Sequence, residues 1–138
     1  MAYAGDVTAQ QAWDQLSSDR RSVLVDVRTP AEWSYVGVPE LSPLGKTLVR
    51  VFWQGYPGMA LNPRFADELA RAGVSKDDPV FFLCRSGARS RAAAEAMTAL
   101  GYKRCYNVAD GFEGPRDGDG HRGRMAGWKA SGLPWTQE

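Results

Sequence analysis

Phe81-Phe82-Leu83-Cys84-Arg85-Ser86-Gly87-Ala88-Arg89-Ser90-Arg91 is the stretch on which the reading of this chain turns. With Pro79 and Val80 ahead of it, the apolar run through Leu83 predicts a strand buried on both faces of a parallel sheet. Beyond the polar loop, Ala92, Ala93, Ala94, Glu95, Ala96, Met97 and Leu100 form helices well, and Gly101 stands where a C-terminal glycine cap belongs. Cys84 is thereby expected at the carboxyl end of a strand and beneath the N-terminus of a helix. In open α/β sheets that rim is where ligands bind.

The setting says what such a cysteine can do. The backbone N–H groups of Arg85 to Ser90 can curl round the sulfur as an anion-binding nest, and the helix N-terminus adds partial positive charge. Arg85, Arg89 and Arg91 bring three further positive charges. All of these favour thiolate over thiol and make Cys84 a candidate nucleophile at neutral pH. An inert cysteine at a strand end, inside a solvated basic turn, is the plainer account; the strand–loop–helix placement weighs against it.

The rest of the chain narrows the class. Its 138 residues have the length of one domain, residues 1–138, and are enough to bury a substantial core. With 43% hydrophobic and 24% charged residues and a net charge of +1, the composition is that of a globular protein. No global field points to nucleic acid or to a membrane surface. Two cysteines, Cys84 and Cys105, do not make a disulfide framework, and a single His121 supplies no metal-ligand cluster. The N-terminus carries neither a basic segment nor an apolar run of the secretory kind, and no run approaches the ~20 apolar residues of a membrane span. A cytoplasmic protein without metal, membrane or nucleic-acid partner is expected.

Thr8 followed by Gln11 fits a helix N-cap and its reciprocal partner, opening a helix through Ala12, Trp13 and Leu16, while Val7 ends a short first strand. Ser22–Val27 reads as the next strand, and Thr29-Pro30 starts a short helix with proline at its first position. Asp26 and Arg28 fall at that strand's carboxyl end, level with Cys84 if the two strands are parallel neighbours. A buried ion pair supporting the loops is the favoured account of them; orientation of the Cys84 loop by Asp26 is the functional one. Residues 37–59 are rich in proline and glycine around one strand-like run, Thr47–Trp53, with Trp53, Tyr56 and Met59 available either as a site wall or as cover for the sheet edge. Asn62-Pro63 opens another helix carrying Phe65, Leu69 and Ala72 on one face and ending at Gly73. Arg104–Val108 is the last strand, with Cys105 as an inert packed residue. The glycine-rich loop 111–124 is a candidate flap that brings Phe112 and His121 toward Cys84; its Asp117-Gly118-Asp119-Gly120 lacks the final glutamate of a calcium loop. Met125–Ser131 is expected as a closing helix anchored by Trp128.

Cys84-Arg85-Ser86-Gly87-Ala88-Arg89 resembles the six-residue active-site loop of the rhodanese superfamily of sulfurtransferases. Leu24-Val25-Asp26-Val27-Arg28 followed by Glu32-Trp33, then Gly101-Tyr102, Asp110-Gly111-Phe112 and the ending Gly127-Trp128-Lys129 with Gly132-Leu133-Pro134, stand in the order such members show. The resemblance runs from about Val7 to Trp135. Where many members have Gly-His-Ile-Pro-Gly-Ala, this chain has Gly37-Val38-Pro39-Glu40-Leu41-Ser42 and no histidine. The resemblance implies an α/β fold: a single rhodanese-like domain with a mostly parallel central sheet of about five strands and helices on both faces. It also places the acidic and basic positions matching Asp26 and Arg28 beside the active site, as supporting residues.

Residues and resemblance together lead to a two-step sulfur transfer, with Cys84 as the catalytic nucleophile and Arg85, Ser86, Gly87, Ala88, Arg89 and Ser90 as the substrate-binding loop. The cysteine takes a sulfane sulfur from thiosulfate or a similar donor as a persulfide and yields it to cyanide or a thiol, small or protein-borne. No cofactor beyond that covalent persulfide is expected. Arg85 and Arg89 are assigned to attracting the anionic donor. Two other classes compete. A persulfide carrier or redox-sensing module without turnover uses the same cysteine. A Cys-dependent phosphatase or arsenate reductase needs five residues between Cys and Arg, and Ser90 occupies that position, with Arg89 one residue early and Arg91 one late.

Overall fold

The computed structural model describes residues 3–55, 58, 60–115, 118–119, 122 and 126–137. In chain order its elements are β1 (Gly5–Val7), α1 (Ala9–Ser18), β2 (Val23–Asp26), α2 (Pro30–Val36), β3 (Val38–Pro39), a 3-10 turn (Ser42–Leu44), β4 (Val49–Arg50), β5 (Gln54–Gly55) and β6 (Ala60–Leu61). They continue with α3 (Phe65–Arg71), β7 (Pro79–Leu83), α4 (Ala88–Ala99), β8 (Arg104–Val108) and β9 (Trp135–Thr136).

Five strands form the central sheet in the order β1-β8-β7-β2-β4, and every pairing in it is parallel. β7 lies in the middle and all its residues are buried, which is why its sequence is a continuous apolar run and not an alternation. Val80 and Phe82 pack with Phe65, Leu69, Ala93, Ala94 and Met97 of α3 and α4. Phe81 and Leu83 point to the opposite face, among Ala9, Ala12 and Leu16 of α1 and the indole of Trp128. Each of these large side chains contributes ~1.5–3 kcal/mol by burial. A slip of one residue would exchange the two faces, so packing fixes the register that carries Cys84.

Local chemistry starts the first two helices where expected. Thr8 and Gln11 form a reciprocal capping box on α1, and Thr29 and Glu32 form one on α2, whose first residue is Pro30. Three segments differ from the sequence expectation. The helix expected to open at Asn62-Pro63 and end at Gly73 starts at Phe65 and ends at Arg71, with Ala72 exposed beyond it. The run Thr47–Trp53 contributes only Val49–Arg50 as strand, pairing with β2 through Val25 and Asp26. The stretch expected as a closing helix is a series of turns from Trp128 to Gly132, with Ser131 N–H on Gly127 O at 3.0 Å and Gly132 N–H on Lys129 O at 3.1 Å. Gly127 and Gly132 have φ of +105° and +74°, so a regular helix cannot pass through either. Met125 lies outside the described residues. Trp128 is nevertheless the anchor: it is fully buried, edge-on to Trp13, with its indole N–H on Pro134 O at 2.7 Å. No helix among the described residues is long and apolar enough to cross a membrane.

Candidate active site

Cys84 follows β7 directly and Gly87 caps α4, so the loop of residues 84–87 joins the carboxyl end of the central strand to a helix N-terminus. β2 runs parallel beside β7 with Asp26 opposite Leu83, and Val27 N–H bonds Leu83 O at 2.8 Å. The carboxyl ends of β2, β7 and β8 therefore share one rim.

The loop is held from outside by the segment after β8. Phe112 N–H donates to Cys84 O at 2.8 Å, and the N–H groups of Glu113 and Gly114 both reach Arg85 O at 3.1 Å. Two glycines allow this contact. A Cβ on Gly111 would lie 2.3 Å from Arg85 O, and one on Gly87 would lie 2.3 Å from Ala109 O. With the carbonyls engaged outward, the amides are left to the inside. Gly87, at φ +106°, donates its N–H to Cys84 Sγ at 3.1 Å. The N–H groups of Arg85, Ser86, Ala88, Arg89 and Ser90 have no acceptor among the described residues. That is a row of unpaired donors at the N-terminus of a helix, an anion-binding arrangement.

Cys84 itself is 1% exposed. Its second partner is Ser90 Oγ at 3.2 Å, and Ser90 Oγ in turn donates to Asn107 Oδ1 at 2.6 Å. Arg85, Ser86 and Ala88 are exposed at the mouth of the loop, and Arg85 makes no ion pair with a described residue.

Arg89 is paired with a residue of α2. Its guanidinium is clamped by both carboxylate oxygens of Glu32, at 2.6 and 2.8 Å. Burial pushes the Glu32 carboxyl upward, but the Arg89 bonds and the Thr29 N–H outweigh it and hold the group at about 2. The same bonds, against burial, raise Arg89 further above its ordinary range, and the charge on Cys84 adds to this. The expectation that Arg89 attracts an anionic donor meets a side chain already paired, which ties α4 to the cap of α2. Arg91 is largely exposed, 3.8 Å from Glu95, with its guanidinium 6.0 Å from the Tyr3 ring.

Asp26 and Arg28 form the buried pair that the sequence favoured, both side chains fully inaccessible. Arg28 Nη2 meets Asp26 Oδ2 and Gly37 O, each at 2.7 Å. Its guanidinium stacks 4.3 Å from the centre of the Phe112 ring. The pair thus packs behind Phe112, whose N–H bonds Cys84 O, and among the described residues makes no hydrogen bond to the Cys84 side chain. Phe112 fulfils its part of the flap expectation, but His121 lies outside the described residues. So do Tyr56 and Met59; Trp53 packs edge-on against Phe65 at 5.1 Å. Cys105 is buried within β8, where burial pushes its thiol up. Among the described residues no His, Cys, Asp and Glu group is arranged to hold a metal ion. A groove of about 960 Å3 runs along the outer edge of β4, lined by Lys46, Arg71 and Asp78 among others, and includes no residue of the Cys84 loop.

Three site residues were not singled out from sequence: Glu32 as the partner of Arg89, and Asn107 and Asp6 beyond Ser90. The Thr29-x-x-Glu32 pattern signalled a cap, yet nothing local signals an ion pair across 57 positions.

Residues 4–138 match the family described as the STR4 middle domain. The crystal structure of Rv0390 from M. tuberculosis superposes with a TM-score of 0.90 at 52% identity, covering 99% of this chain and all of that one. The RP600 homologue of Rickettsia rickettsii is 41% identical over 131 residues, 94% of this chain and 95% of that protein. Thiosulfate sulfurtransferase GlpE of Glaesserella parasuis is 30% identical over 109 residues, 79% of this chain and 83% of that one.

Proposed function

Since the chain belongs to the STR4 middle domain family and is rhodanese-like, we propose that it is a sulfurtransferase that carries sulfane sulfur as a persulfide on Cys84. The observation that carries this reading is the position of Sγ, 3.1 Å from the Gly87 N–H and inside a loop whose other amides have no acceptor among the described residues.

The steps follow from that geometry. The Cys84 thiolate attacks the outer sulfur of thiosulfate; a new S–S bond forms, the donor's S–S bond breaks, and sulfite leaves with the bonding pair. The amides of residues 85–90 stabilise the negative charge, first on Sγ and then on the terminal sulfur of the persulfide. Cyanide or a thiolate next attacks that terminal sulfur, and the Cys84 thiolate is released. The two half-reactions share one covalent intermediate, giving ping-pong kinetics. Exposed Arg85 is the cation that draws the donor in. Phosphoryl transfer fits less well. The place where a phosphatase loop needs its arginine is taken by Ser90, fully buried against Sγ.

Intact mass after incubation with thiosulfate tests the reading. One added sulfur mapped to Cys84, and lost on cyanide addition with release of thiocyanate, is the expected result. No adduct with thiosulfate or with polysulfide overturns it. A stable persulfide without steady-state turnover on any small acceptor would identify a carrier in place of an enzyme.

A further inference from the structure

A chain of hydrogen bonds leads from Cys84 out of the site to the first strand. Ser90 Oγ lies 3.2 Å from Cys84 Sγ and 2.6 Å from Asn107 Oδ1; Asn107 Nδ2 donates to Asp6 Oδ1 at 3.1 Å, and the Tyr3 hydroxyl donates to the same oxygen at 2.6 Å. Proton counting fixes the direction of this chain. An ionised carboxylate only accepts, so Asp6 orients the Asn107 amide with its NH2 outward and its carbonyl oxygen toward Ser90. Ser90 owns one hydroxyl proton, and the shorter bond to Asn107 takes it. What Ser90 then presents to the sulfur is a lone pair, suited to a thiol that donates its S–H and poorly suited to a thiolate. For Ser90 to stabilise a thiolate, its hydroxyl must turn to Sγ, which leaves the Asn107 oxygen without its donor in a residue only 3% exposed.

Resting on the assignment of Cys84 as the nucleophile, we infer that Asp6 and Asn107 are positioning residues that restrain the ionisation of Cys84 by fixing the proton of Ser90. They oppose the nest: amides favour the thiolate, and the relay favours the thiol until a donor enters. The charged and titratable groups near the loop and the relay include Arg89 with Glu32 from α4 and α2, Arg91 with Glu95 on α4, Arg28 with Asp26 from the end of β2, exposed Arg85, Asp110 and Glu113 after β8, and Asp6 with Tyr3 at β1. Only Asp6 changes in the variants below.

The readout is the rate of iodoacetamide alkylation at Cys84, mapped by peptide mass, as a function of pH. Asp6 is exposed, so Asp6→Ala is expected to fold; it frees the Asn107 amide to rotate, donate to Ser90 and release the hydroxyl toward sulfur. Its alkylation midpoint moves to lower pH, and one pH unit below the wild-type midpoint alkylation is ~3–10-fold faster. Asn107→Leu, which removes the acceptor and keeps the volume, shifts the same way. In a Ser90→Ala background Asp6→Ala shifts nothing, whereas a through-space effect of the lost charge would persist there. An unchanged or raised midpoint in both single variants overturns the inference, as does an equal shift with and without Ser90. Alkylation does not depend on sulfur transfer, so a failure of the proposed function leaves this result readable by itself.

Discussion

Glu32 grips Arg89 with both carboxylate oxygens, at 2.6 and 2.8 Å, while the same carboxylate receives the Thr29 N–H at the start of α2. One side chain therefore joins the cap of α2 to the first turn of α4, directly behind the Cys84 loop. The arrangement makes Arg89 a strut between the two helices.

This pair gives the fold an acid-sensitive component. Glu32 is held at about 2 against an ordinary 4.5, so its contribution to stability is complete above about 4.5 and is lost as pH falls toward 2. Allowing for partial solvent screening, the contribution is about 1–3 kcal/mol. Glu32→Gln keeps a side chain able to complete the capping box but removes the charge. Urea unfolding of the two proteins should differ at neutral pH and converge as pH drops through that window. A gap that does not change with pH would show that the ion pair contributes nothing.

Legibility in the sequence followed range. The strand of Pro79–Leu83, the cysteine at its end and the helix beyond are encoded in contiguous residues, and so are both capping boxes. The buried Asp26–Arg28 pair is two residues apart and was readable for the same reason. The Glu32 partner of Arg89 was not legible because it lies 57 positions away, and a basic side chain in a loop looks unpaired until that partner is seen. Asn107 and Asp6 stand at ordinary strand positions; only the parallel pairing of β1 with β8, which sets Asp6 beside Asn107, brings them to Ser90. The closing segment failed as a helix because Gly127 and Gly132 serve turns with positive φ.

The two cysteines should separate cleanly. Cys84→Ser removes the nucleophile and abolishes persulfide formation and turnover. Cys105→Ala deletes a buried sulfur remote from the nest, costing about 1 kcal/mol of stability and leaving transfer by the folded protein within a few-fold of wild type. Steady-state assays with thermal melts decide it; comparable loss of turnover in both variants would defeat the single-cysteine mechanism.

Gly87 and Gly111 are required by contact as well as by conformation. Alanine at either position sets a Cβ 2.3 Å from a backbone carbonyl oxygen, at φ of +106° and +67° respectively. The strain costs roughly 1–3 kcal/mol at each site, and relief must come from moving the loop. Because Gly87 also supplies the N–H on Sγ, Gly87→Ala should lower kcat/KM for thiosulfate by about a hundredfold or more, on the scale of a lost charge-stabilising donor. Gly111→Ala should also lower it, since its Cβ would press on Arg85 O and, at 2.7 Å, on the Ser86 nitrogen of the nest. Equal activity of Gly87→Ala and wild type would remove this amide from the mechanism.

Removing one partner of the buried pair behind Phe112 should be costly. Arg28→Met leaves Asp26 ionised in a fully inaccessible position with its side-chain partner gone, a change that costs about 3–5 kcal/mol. Asp26→Asn in the Arg28→Met background relieves the stranded charge and should recover part of that loss. Urea denaturation of the single and double variants measures the recovery; a double variant less stable than Arg28→Met would show that Asp26 stabilises the fold through its other bond, to the Arg28 N–H, more than the uncompensated charge harms it.

Arg85 should govern capture of the donor more than its conversion. It is exposed at the mouth of the loop and makes no ion pair with a described residue, whereas Arg89 is neutralised by Glu32 and Arg28 by Asp26. Its charge acts across water, so it is screened within the Debye length of about 8 Å at physiological ionic strength. Arg85→Ala should therefore raise KM for thiosulfate by about 3–10-fold at low salt, with a much smaller change in kcat. The difference from wild type should shrink as salt is raised. Arg89→Ala, by contrast, should act mainly through stability and through the position of α4, with no comparable salt dependence. If kcat in Arg85→Ala falls as far as kcat/KM, the guanidinium acts on the departing sulfite in the transition state, and its assignment moves from attraction to catalysis.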